Sequence, residues 1–265
     1  MHLYTYVSIK SFIEGCKASD SAPVLTLQIP NMMYSAQEYE TEYGLSLLRQ
    51  AICLYEKKNN IAPEQSKQAM PFFRKNRKML VGPEMEMYAL SLFETQTIPH
   101  SLKLGHNYPY VRLMLDYQLL GEYCLSQNVY LLRCKYDEEK NLQTFADQME
   151  QEYNKFFYDD EHTGFTPDSR LFSMLCNACL EVKNPHFISE KEWRIVSFHT
   201  PSDVSYLLVD GQLIPSVTIS IPLGCIRQIA LQNRNENKLT YSALAGFLQQ
   251  IGLMPEHYLE GMIEQ

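Results

Sequence analysis

The apolar positions change period several times along the chain, and each change predicts an element. HLYTYVSI (2–9) is aromatic and β-branched and predicts a strand; APVLTLQIP (22–30) predicts a second extended piece. Ser35 followed by Glu38 makes a capping box. The helix it opens carries Tyr39, Tyr43, Leu47 and Leu54 near helical spacing and ends close to residue 57. Pro63 predicts the first turn of a shorter helix over 63–77. EMEMYALSLF (84–93), YPYVRLML (108–115) and NVYLLRCKYD (128–137) predict strands. From Asp137 the period lengthens, and Leu142, Phe145, Met149, Tyr153 and Phe156 line one face of a long helix. A polar loop follows at 159–169, in which Thr166 and Pro167 are set to cap and open the next helix. EWRIVSF, VSYLLV, SVTISI and CIRQIAL then predict four closely spaced strands. Helices near 239–251 and after Pro255 close the chain.

The pattern predicts an α+β protein, one domain over 1–265, with long helices inserted in the middle. There is no internal repeat, no low-complexity tract and no Pro/Gly/Ser linker. With 265 residues, 45% of them hydrophobic, the chain can bury a substantial core.

Charge narrows the partners. Lys and Arg number 23 against 31 Asp and Glu, a formal balance of −8. So acidic a chain is a poor general binder of nucleic acid or anionic membrane. FFRKNRK (72–78) is the exception, with Arg74, Lys75, Arg77 and Lys78; a solvated helix face and a local nucleic-acid patch both remain open there. No run of about 18 apolar residues predicts a membrane span, and the opening residues lack a signal-peptide pattern. Seven cysteines without a regular framework predict a reduced, cytoplasmic protein.

Glycine-rich phosphate loops, GxGxxG, HExxH and GxSxG are all absent from the sequence. Cys176 and Cys179 form one CxxC inside an apolar helical stripe, which reads as core packing rather than as a metal site. His100 and His106 lie in a loop without a nearby carboxylate or thiol, and no metal site is predicted. SEKEWRIVSF (189–198) is richer. It holds the only tryptophan, and strand alternation places Glu190, Glu192 and Arg194 in one row, with Lys191, Trp193 and Ile195 opposite. Arg194 can fix one carboxylate by a bidentate hydrogen bond. The other is then left for a ligand hydroxyl or for a developing positive centre. The bland alternative is a solvated strand-end salt bridge.

Several segments resemble the bacterial domain-of-unknown-function 2971 family. LYTYVSI is similar to its opening strand, ALSLFE (89–94) to its serine-containing strand, and VYLLRCKYDEE (129–139) to the strand with a Lys-Tyr pair. EKEWRIVSF (190–198) matches its Glu-x-Glu-Trp/Tyr-Arg motif. IPLGCIRQIAL (221–231) with LTYSALAGFLQQIGL (239–253) resembles its closing strand and helix. The family has been proposed to be distantly related to ADP-ribosyltransferases. The resemblance therefore implies a mixed, split β-core that takes NAD as substrate.

On that footing Glu192 or Glu190 would contact the nicotinamide ribose, with Arg194 orienting it. Tyr4, Thr5, Tyr6 and Ser91 would contribute to cofactor binding. Thr5 stands where many members have His, and no tryptophan occurs in LKLGHNYPYVRLML (102–115), so Tyr108 or Tyr110 would supply an aromatic platform. Two readings follow. One is an enzyme that cleaves the nicotinamide–ribose bond and passes ADP-ribose to a protein acceptor or to water. The other is an inactive module of the same fold that binds a nucleotide, another small molecule or a protein.

Overall fold

The computed structural model describes residues 1–17, 23–32, 38–68, 86–97, 110–155, 170–199, 201–209, 211–231 and 238–260. They form a mixed α+β structure with two sheets. The chain divides into two compact units, each discontinuous in sequence. The first comprises Met1–Ile29, Ser91–Leu131 and Thr218–Gln265, the second Pro30–Leu90 and Leu132–Val217.

In the first unit, strand β1 (His2–Ser8) leads directly into helix α1 (Ile9–Gly15). Ser8 makes that switch. Its Oγ accepts the Ser11 N–H at 3.0 Å, supplying a partner to one of the helix's orphan donors. Gly15 is the last residue of the helix, and only glycine fits there, because a Cβ would meet the Thr26 carbonyl oxygen at 2.2 Å. The short strand β2 (Cys16–Lys17) then pairs antiparallel with β3 (Val24–Pro30). Strand β4 (Glu86–Phe93) enters this unit at Ser91, and its Phe93 pairs with Tyr4. Strand β5 (Tyr110–Asp116) pairs antiparallel with β1 along all seven residues, from His2↔Asp116 to Ser8↔Tyr110. Its alternation is strict: Val111, Leu113 and Leu115 are fully buried.

Asp116 ends β5 and caps the helix Tyr117–Ser126 by accepting the N–H groups of Gln118 and Leu119. Near the end of the chain, the Ile226–Leu231 strand lies on the far side of β5, with a register shift between Ile226 and Gln228. Its outer edge is covered, since the Glu260 N–H bonds the Ile229 carbonyl at 3.1 Å.

In the second unit the long helices pack together. In chain order the helices are α2 (Glu38–Lys58), α3 (Tyr117–Ser126, of the first unit), α4 (Glu138–Glu152), α5 (Arg170–Leu180), α6 (Lys238–Gln250) and α7 (Pro255–Tyr258), the last two also of the first unit. Helices α2, α4 and α5 enclose a core of Leu47, Leu48, Ile52, Phe145, Met149, Met174, Ala178 and Cys179, with Val196 joining from a strand. Gly44 sets the approach of α2 to α5: a Cβ there would stand 1.7 Å from the Ala178 carbonyl oxygen. The remaining strands are β6 (Tyr130–Arg133), β7 (Glu192–His199), β8 (Ser205–Val209), β9 (Gln212–Pro222) and β10 (Ile226–Leu231). Strands β8 and β9 form an antiparallel hairpin closed at Gly211, whose φ of 80° suits glycine.

The predicted α+β class holds. The differences are local. Pro63 opens a single 3-10 turn that ends at Gln65, and Ser66 is already extended, so no helix runs on from it; residues 69–77 lie outside those described. The strand expected over 128–137 is confined to Tyr130–Arg133, because Asn128 takes a positive φ before it and Lys135 turns away to bridge Val182. Helices α1 and α3 stand where no helix was predicted. Ser35, Arg74, Lys75, Arg77, Lys78, His100, His106, Thr166 and Pro167 lie outside the described residues.

Candidate functional site

The Glu-x-Glu-Trp-Arg segment lies in the second unit. Pro185–Glu190 is a run of 3-10 helix, capped by Asn184 through the His186 N–H at 3.0 Å. Lys191 follows in the left-handed region, with φ 46° and ψ 53°, and β7 begins at Glu192. Glu190 therefore does not share a strand row with Glu192 and Arg194, as simple alternation predicts. It reaches the same charges from the preceding turn, and the left-handed Lys191 is the backbone step that allows this.

The convergence point is Lys183, a residue the sequence pattern did not single out. It lies just past the end of α5, where its backbone N–H bonds the Lys135 carbonyl at 3.0 Å. Its ammonium bonds Glu190 Oε2 at 2.7 Å and also bonds Glu192 Oε2. Glu192 Oε1 accepts from Arg194 Nε at 2.9 Å. Arg194 Nη1 donates to the Leu180 carbonyl at 3.0 Å, so the guanidinium also satisfies the C-terminal end of α5. Tyr136 accepts the Glu192 backbone N–H at 2.8 Å, and the Cys134 N–H bonds the Glu192 carbonyl at 2.9 Å. The start of β7 is thus fixed from both sides.

Two acids and two bases balance, and none is exposed beyond 5%. Burial alone would push the Glu192 carboxyl up. The adjacent Arg194 and Lys183 charges outweigh it and hold the group down at about 2. Trp193, on the other face of β7, lies half-buried with the Arg133 guanidinium 5.8 Å from its ring centroid. The solvated strand-end reading is therefore overturned: these are buried, mutually compensated charges.

The remaining predicted site residues belong to the first unit. Thr5 is 1% exposed, and its hydroxyl donates to the Ser91 carbonyl at 3.1 Å. Tyr6 donates to the Gln96 carbonyl at 2.7 Å, and Gln96 Nε2 donates to the Tyr4 hydroxyl at 3.0 Å. The Arg112 guanidinium lies 5.8 Å from the Tyr4 ring centroid. Burial pushes the Tyr6 phenol up to about 12, with Arg112 partly opposing. Tyr6 and Ser91 keep partial exposure, whereas Tyr4 and Thr5 are buried. Tyr108 lies outside the described residues. Tyr110 opens β5, and its hydroxyl is buried.

Cys176 and Cys179 are buried on α5, the latter within the core, as the apolar stripe predicts. Tyr136 was visible in the sequence as the second member of the Lys-Tyr pair. Lys183 had only a faint signal, a lysine between a buried valine and the Asn-Pro cap of the next turn.

Compared with known proteins, residues 24–195 match the model of a family described as Protein of unknown function (DUF2971). The match takes in Lys183, Glu190, Glu192 and Arg194. No curated protein and no solved structure matches the chain.

Proposed function

The chain belongs to the DUF2971 family, and from that premise we propose a nucleotide-recognition module of ADP-ribosyltransferase-like fold that performs no chemistry on its ligand. One observation carries this reading. Both carboxylate oxygens of Glu192 are engaged by Lys183 and Arg194, and the residue is 1% exposed. An acceptor for a ribose hydroxyl has to be reachable from solvent. Glu192 does not fit that role toward NAD, so no cleavage step is assigned to it. Its charge organises the turn before β7 and the end of α5. Of the residues assigned by resemblance to NAD binding, Tyr6, Ser91 and Tyr110 are the described ones with partial exposure; the Tyr110 hydroxyl is buried, so Tyr6 and Ser91 are the proposed ligand contacts.

A second reading retains catalysis. In it, a Glu192 carboxylate released from Lys183 would supply the negative charge that stabilisation of an oxocarbenium-like centre requires. It includes transfer to a protein acceptor or to water. A bacterial, cytoplasmic setting belongs to the same proposal; seven cysteines outside any disulfide support a reducing compartment. Among the described residues no helix is long and apolar enough to cross a membrane.

Calorimetric titration of NAD, followed by assay of nicotinamide in the same sample, tests both readings. Binding without nicotinamide release is the expected result. Release would replace the module by the enzyme. Absence of binding would remove the nucleotide reading altogether.

A further inference from the structure

Strands β10, β5, β1 and β4 are neighbours in that order, and one level across them carries a charge that the candidate site has not yet used. Arg112 on β5 pairs with Tyr6 on one side and with Ala230 on the other, so these three side chains share a face. Beyond β1, the Ser91 carbonyl accepts the hydroxyl of Thr5, the residue before Tyr6. Arg112 therefore stands one strand away from Tyr6, about 5 Å between backbones. Its guanidinium lies 5.8 Å from the Tyr4 ring centroid.

The guanidinium is only partly used. Its side chain is 18% exposed, and among the described residues its one hydrogen-bond partner is Glu260, whose Oε2 accepts from Nη2 at 2.7 Å. A guanidinium presents its donors as a planar fork and binds most strongly when two of them act together. Here a single nitrogen meets a single carboxylate oxygen. The buried Arg194, by contrast, engages Nε, Nη1 and Nη2. Glu260 reaches Arg112 from beyond β10, past the small Ala230. Its backbone N–H bonds the Ile229 carbonyl at 3.1 Å, and its own carbonyl accepts the Tyr241 hydroxyl at 3.1 Å. The Glu260 main chain is thus held independently of its carboxylate. That side chain is 50% exposed and can swing into water without disturbing those bonds.

We propose that Arg112 binds a phosphate group of the ligand, and that the Glu260 carboxylate is the counter-ion this phosphate displaces. The proposal rests on the nucleotide reading of Tyr6 and Ser91 and adds the group that selects a nucleotide over a nucleoside. A phosphate offers two oxygens to the fork where Glu260 offers one. The guanidinium is mostly out of water, where charge-assisted hydrogen bonds are stronger. The Tyr4 ring beside it limits where it can turn. In a chain of formal charge −8 an anion needs such a local cation to be held. The exchange gives up one solvent-facing ion pair, equivalent to at most about fivefold in affinity.

Calorimetric titration of inorganic pyrophosphate into the full chain tests the phosphate contact apart from the rest of a nucleotide. The wild type is expected to bind it. Glu260→Gln, which removes the competitor, is expected to bind it up to about fivefold more tightly. Arg112→Gln is expected to bind it at least about tenfold more weakly, with an unchanged circular dichroism spectrum. Arg112→Lys keeps the charge without the fork and is expected to fall between. Pyrophosphate that binds Arg112→Gln as well as the wild type would overturn the proposal. So would a Glu260→Gln protein that binds no more tightly than the wild type, an outcome that decides even if Arg112→Gln fails to fold. So would the absence of binding to both the wild type and Glu260→Gln. The same series with NAD separates this inference from the reading beneath it. NAD that binds the wild type and Arg112→Gln equally would keep the nucleotide reading and remove the phosphate contact. Pyrophosphate held through Arg112 in a chain that does not bind NAD would keep the phosphate contact and remove the nucleotide reading.

Discussion

At residue scale, Lys183 separates a surface salt bridge from a buried network. Removing one partner of a buried ion pair leaves the opposite charge without compensation and costs about 3–5 kcal/mol. Lys183→Met should therefore lower stability by that order, read as a lower urea midpoint. Glu192→Gln should also destabilise, because Lys183 and Arg194 would then face one buried carboxylate in place of two. A reading from strand alternation alone treats that substitution as harmless to folding; burial reverses the expectation.

The pH dependence has a definite sign. The Glu192 carboxyl lies below its ordinary value of 4.5, at about 2 in the folded chain. Its contribution is complete above the unfolded value and is lost as pH falls through the folded one. Glu56 shifts in the same direction: against the cost of burial, bonds from Gln68, Lys67, Tyr153 and Ser66 hold its carboxyl down. Stability should therefore fall as pH drops from 4.5 toward 2, and Glu192→Gln should flatten part of that fall. Chemical denaturation at a series of pH values checks both statements. The sequence showed Glu190, Glu192 and Arg194 as a group because they are close along the chain. It did not show Lys183, whose role depends on how α5 ends, nor the left-handed turn at Lys191.

At element scale, the strands were legible wherever apolar alternation was uninterrupted, as in β5. Helices α1 and α3 were not, because each follows a strand without a break. Ser8 and Asp116 each end one element and cap the next, so the change of period falls inside a run that looks continuous. Asp116→Ala removes a cap that holds two backbone N–H groups, and should cost about 1 kcal/mol in thermal or urea unfolding. Gly44 acts between elements. Gly44→Ala forces α2 and α5 apart against a carbonyl rather than a flexible side chain, and should cost about 1–3 kcal/mol, with a lower melting temperature.

At the scale of the whole molecule, the absence of a linker in the sequence agrees with the way the chain is distributed. It passes between the two units at residues 30, 91, 132 and 218, each of which lies in a strand. Composition marks a boundary only where a flexible connector joins two contiguous domains, and here neither unit is contiguous. A fragment ending at Leu131 would lack Thr218–Gln265, and with it the strand that pairs along the far side of β5. It should fail to give a folded first unit, as judged by protease resistance. The seven buried or half-buried cysteines have a practical consequence. Cys16, Cys124 and Cys225 belong to the first unit, and Cys53, Cys134, Cys176 and Cys179 to the second. Burial pushes the Cys16, Cys124 and Cys176 thiols up to about 12, so at neutral pH they are alkylated only when the surrounding structure opens. Pulse labelling read by mass spectrometry would then clock the opening of each unit separately, using probes the protein already carries.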